Sequence, residues 1–81
     1  MKIYVGNLSF DTTAVEMRSL FEKYGTVNSV EVAVDRKTGR SKGFGFVIMP
    51  IESEARDAVE NLDGFNWGQR ALRVNEARAS D

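Results

Sequence analysis

Eight residues near the middle of the chain, Lys42-Gly43-Phe44-Gly45-Phe46-Val47-Ile48-Met49, alternate so regularly that they constrain the fold more than any other segment. Successive side chains of a β-strand point to opposite faces. Lys42, Phe44, Phe46 and Ile48 therefore share one side, and Gly43, Gly45, Val47 and Met49 the other. If Val47 and Met49 pack on a core, two phenylalanines stand on the open face, where a small domain has no reason to place them unless they bind something. The inward glycines are expected to leave room for the layer that covers that face.

The rest of the chain supplies such a layer. Ile3-Tyr4-Val5-Gly6 reads as a short strand closed by the turn-prone Gly6-Asn7, with Ile3 and Val5 inward. Thr13 followed by Glu16 forms a capping box, and Met17, Leu20, Phe21 and Tyr24 then recur at helical spacing up to Gly25. Val30, Val32 and Val34 alternate with Glu31 and Ala33 in a second strand, which a charged loop from Asp35 to Lys42 separates from the third. Beyond Pro50, the spacing of Ala55, Ala58, Val59 and Leu62 predicts a second helix ended by Asp63-Gly64. Phe65 to Arg70 forms a loop or small hairpin, and Leu72 and Val74 point inward from a last strand. The order βαββαβ implies an α+β, ferredoxin-like fold, a four-stranded antiparallel sheet with two helices on one face. One domain over residues 1–78 with a short tail at 79–81 is expected.

Composition narrows the function. The 81 residues include neither cysteine nor histidine, which removes thiolate and imidazole ligands, redox pairs and the nucleophile–base arrangements that need them. No stretch approaches the roughly 18 apolar residues of a membrane span, and the first residues do not form a signal peptide, so a cytoplasmic location is expected. The net charge is only −1, so any basic surface is local. Arg36, Lys37, Arg40 and Lys42 gather around one loop, whereas Glu52, Glu54, Asp57, Glu60 and Asp63 lie along the second helix.

Inward Ile3 and Val5 turn Tyr4 outward, which gives three aromatic rings on one face. Every base has a π-face, so this platform suits single-stranded nucleic acid, at about 1–3 kcal/mol per stacked base. Bases in a duplex are already stacked and cannot use it. Residues 42–49 match the RNA-recognition octapeptide at seven of its eight positions. Ile3-Tyr4-Val5-Gly6-Asn7-Leu8 resembles the companion hexapeptide. The chain thus resembles the RNA-recognition-motif family over residues 2–78, and is similar to its short single-domain bacterial proteins and to the domain of glycine-rich RNA-binding proteins. Asp35-Arg36-Lys37-Thr38-Gly39-Arg40, Leu62-Asp63-Gly64 and Arg70-Ala71-Leu72-Arg73-Val74 carry further matches.

The resemblance implies a single-stranded RNA ligand, no catalysis, no cofactor and no small-molecule substrate, in a monomeric domain with a post-transcriptional role such as RNA chaperoning, stability or translation control. Single-stranded DNA is the alternative ligand, because stacking does not distinguish the sugars. The expected RNA contacts are Tyr4, Phe44 and Phe46 by stacking, Lys42, Arg40, Arg36 and Lys37 at phosphates, and Asn7, Arg73 and Asn75 beside them. Met49 departs from the family pattern at an inward position, where a flexible side chain fills space well. Glu31 departs on the outward side of the second strand, where a carboxylate weakens binding or favours a base edge that donates hydrogen bonds. Residues 1–81 contain no glycine-rich segment. Phe65 and Trp67 are expected to pack against the end of the second helix, and Phe10 to pack similarly. A peptide-binding module is the competing reading and an enzyme on a ferredoxin-like frame a weaker one, since neither paired carboxylates nor a phosphate-gripping loop converge.

Overall fold

The fold begins with a strand too apolar to lie at the surface. In a computed structural model, which describes residues 1–77, β1 (Lys2–Gly6) buries Ile3 and Val5 completely. Antiparallel β3 (Ser41–Ile48) and β6 (Arg73–Glu76) flank it on either side, and β2 (Ser29–Val34) pairs with the outer edge of β3. The strand order is β2-β3-β1-β6.

The helices form where the sequence predicts them. Thr13 Oγ1 accepts from the Glu16 N–H at 3.2 Å and Glu16 Oε1 accepts from the Thr13 N–H at 3.0 Å, which closes the capping box and starts α1 (Ala14–Glu22). The helix ends before Gly25, where the Tyr24 N–H donates to the Phe21 carbonyl. α2 (Glu52–Leu62) buries Ala55, Ala58 and Leu62. Its small residues let it lie close to the sheet, and Asp63 Oδ1 ties its end to β6 by accepting from the Val74 N–H at 3.0 Å. Met17, Leu20 and Phe21 of α1 meet Ile3, Val5, Val47, Met49 and Val74 of the sheet in one core. The molecule extends 37 × 31 × 19 Å. Its short axis holds one sheet and one layer of helices, since stacked layers lie about 10 Å apart, and among the described residues the other sheet face stays open.

Between α2 and β6 the chain makes a small hairpin, β4 (Asn66–Trp67) and β5 (Arg70–Ala71). Gly68 and Gln69 join the two strands, both at positive φ (61° and 71°), the backbone of a tight two-residue turn.

Four expectations change. Gly45 does not make room for a helix: a Cβ there would strike the backbone carbonyl of Glu31 on the neighbouring strand β2. Gly43 is fixed by its φ of 95°, at a bulge where β3 steps four residues, from Gly45 to Ser41, while β2 steps two, from Val32 to Val34. Val34 is 50% exposed, because it borders a shallow hollow with Phe10, Thr13 and Ser41 instead of reaching the core. Trp67, on the hairpin, borders a groove with Val15 and Leu20 of α1, and the Phe65 side chain is exposed, although its N–H donates to the Leu62 carbonyl at the end of α2.

Candidate nucleic-acid interface

Strand register turns the open face into an ordered grid. One row crosses all four strands, with Glu31, Phe46, Tyr4 and Asn75 directly opposite one another. The next row holds Phe44, Gly6 and Arg73, and on the other side lie Ser29, Ile48 and Lys2. The three predicted aromatics come together. Tyr4 and Phe44 stack with centroids 6.2 Å apart at 25°, whereas Phe46 meets Tyr4 edge-on at 5.8 Å and Phe44 at 6.2 Å. All three are half-buried by one another and keep ring surface toward solvent.

Gly6 is part of this arrangement. The Tyr4 ring leans along its own strand and lies over Gly6, so that a Cβ there would come within 2.6 Å of Tyr4 Oη. The space that Gly6 leaves lets Tyr4 settle parallel to Phe44.

The polar residues divide into groups. Arg73 and Asn75 are exposed on β6 beside Gly6 and Tyr4. Lys42 is exposed at the bulge of β3. Arg36, Lys37 and Arg40 are exposed in the β2–β3 loop, which folds about Asp35: its backbone exchanges bonds with Gly39 and Arg40, and its Oδ1 accepts from the Lys37 N–H at 2.8 Å. Among the described residues the ion pairs are Arg18–Glu22 and Arg56–Glu52, and the basic residues of this end enter neither.

Asn7 is placed differently. Its φ of 59° turns the chain out of β1, its Nδ2 donates to the Ala71 carbonyl at 2.8 Å, and its Oδ1 accepts from Arg70 at 3.1 Å. The guanidinium of Arg70 also lies 5.5 Å from the centre of the Phe10 ring, which explains how a phenylalanine 53% exposed is tolerated. The Asn7 amide is thus committed to the β4–β5 hairpin.

Two residues on or beside the face escaped the sequence reading. Lys2 places its ammonium 4.5 Å from the centre of the Phe46 ring. The signal was present, since Lys2 shares the outward phase of Tyr4. Arg70 carried none, because its position depends on contacts with residues some sixty positions away.

A two-layer α+β sandwich whose free sheet face carries a cluster of aromatic rings beside a basic loop defines a class of ligand-presenting sheet modules. This chain belongs to the RNA recognition motif family, whose model matches residues 3–73. It is 50% identical to RbpB of Nostoc sp. over 78 residues, which cover 96% of this chain and 76% of that protein. The crystal structure of RNA binding protein PG1 superposes with a TM-score of 0.93 at 44% identity, covering 100% of this chain and 98% of that one. The Rna15 RRM with bound RNA (GU) gives 0.90 at 31% identity, covering 99% and 85%.

Proposed function

We propose that this chain binds single-stranded RNA on its open sheet face, bases stacked on Tyr4, Phe44 and Phe46. Phosphates are held by Lys42, Arg40, Arg36, Lys37 and Arg73, with Asn75 beside the Tyr4 base and Asn7 acting through Arg70. The observation that carries this reading is the three-ring cluster, with centroids 5.8–6.2 Å apart on a face that neither α1 nor α2 covers. Rings at this spacing offer separate surfaces to neighbouring bases. The names of PG1 and of the RNA-bound Rna15 domain point the same way.

The same reading makes the chain a binding module, one domain over residues 1–78 with a tail at 79–81; residues 78–81 lie outside the described residues. It is a cytoplasmic monomer acting after transcription. Titrating a short labelled single-stranded RNA into wild type, Phe44→Ala and Phe46→Ala tests the proposal. Each substitution is expected to cost about 1–3 kcal/mol of binding while the fold is kept. A folded double variant that binds as wild type does would sink it. Matched RNA and DNA oligonucleotides decide between the two sugars.

A further inference from the structure

Phe46 lies between two opposite charges. Glu31 stands directly across from it on β2, and directly opposite residues of an antiparallel pair have Cβ atoms about 4.5–5.5 Å apart. The carboxylate is exposed and enters neither ion pair of the described residues. From β1, the Lys2 ammonium reaches the same ring, 4.5 Å from its centre. A base lying on Phe46 therefore has an acceptor-only group on its β2 side and a donor-only group on its β1 side.

We propose that the base bound at Phe46 is a guanine, selected by Glu31 and Lys2; the inference rests on the stacking reading above. Guanine presents, in order around its edge, two adjacent donors, the 2-amino group and N1–H, followed by two acceptors, O6 and N7. The two carboxylate oxygens of Glu31 take the donors as parallel charge-assisted bonds. The incoming ring displaces the Lys2 ammonium from the face of Phe46 to its rim, where O6 and N7 become its partners. The other bases fit worse. Adenine and cytosine each offer the carboxylate one amino group beside a ring-nitrogen acceptor. Uracil offers one N–H between two carbonyl oxygens, which repel an anion. Beside any of these, Glu31 gives up water without full replacement, and that mismatch is the source of discrimination.

The test compares a short oligouridine carrying one central guanosine with versions carrying inosine or uridine at that place. Inosine keeps N1–H, O6 and N7 and lacks only the 2-amino group. Wild type is expected to bind the guanosine RNA about tenfold more tightly than all-uridine RNA, with inosine in between. In Glu31→Gln the guanosine-to-inosine ratio should fall to near one, while binding of all-uridine RNA stays the same or tightens as an anion leaves the phosphate path. Equal binding of guanosine and inosine RNA by wild type, or an unchanged ratio in Glu31→Gln, overturns the proposal. Phe46→Ala separates the two readings: if it weakens all three RNAs while wild type shows no guanosine preference, stacking stands and guanine selection falls. If none of the RNAs binds wild type, both fall.

Discussion

The ring of Tyr4 occupies the space above Gly6, two residues along the same strand, so close that a methyl group on Gly6 would meet its hydroxyl oxygen at 2.6 Å. The near-parallel pairing of Tyr4 with Phe44 depends on that space. Gly6→Ala should therefore swing a half-buried ring on the open face aside without disturbing the core. We expect RNA affinity to drop by about as much as in Tyr4→Ala, roughly 1–3 kcal/mol, with little change in Tm. A titration and a thermal melt on the same variant check both halves.

Gly45 should behave in the opposite way. Its added methyl would press on the Glu31 carbonyl, which is backbone and cannot rotate away. Gly45→Ala should cost about 1–3 kcal/mol of stability, read from urea unfolding, because β2 and β3 must separate to admit it.

Asn7 joins β1 to the β4–β5 hairpin through Ala71 and Arg70, from a left-handed backbone conformation. Asn7→Ala loses both bonds and adds about 1 kcal/mol of backbone strain, whereas Asn7→Gly loses the bonds alone. The alanine variant should melt below the glycine variant, and both below wild type. The reverse order of the two variants would show that the backbone conformation is not what asparagine provides.

Few phosphate contacts are available to a chain of net charge −1. With the five proposed above as the upper limit, log K should fall against log salt with a slope no steeper than about −3.5. Affinity measured across a series of sodium chloride concentrations gives the slope, and a value several times steeper would contradict this charge distribution.

Much of this was legible because it is local. Alternation alone turned Tyr4, Phe44 and Phe46 outward, the Thr13–Glu16 pair marked the start of α1, and helical spacing named Met17, Leu20 and Phe21 as core. What the sequence hid depends on distant partners. The spacing of Val30, Val32 and Val34 does not show where the helices stop covering β2. Trp67 reads as a helix-end residue until the hairpin carries it toward α1. The reason for Gly45 lies in the backbone of another strand. Asn7 looks like an exposed polar contact, and its amide proves committed to residues beyond position 69.

The central place of β1 has a consequence for how the protein is made. The first strand of this domain is hydrogen-bonded along both sides, to β3 and to β6, and β6, which ends at Glu76, is the last strand of the described residues. A growing chain therefore holds Tyr4 beside Phe46 well before it can seal the far edge of β1. Until residues 73–76 arrive, that edge is open to any other strand, and open edges recruit strands from other chains. Assembly dominated by such long-range pairing is slow compared with helix formation. The danger of aggregation is greatest just before residues 73–76 emerge, and it passes when the strand that carries Arg73 and Asn75 docks.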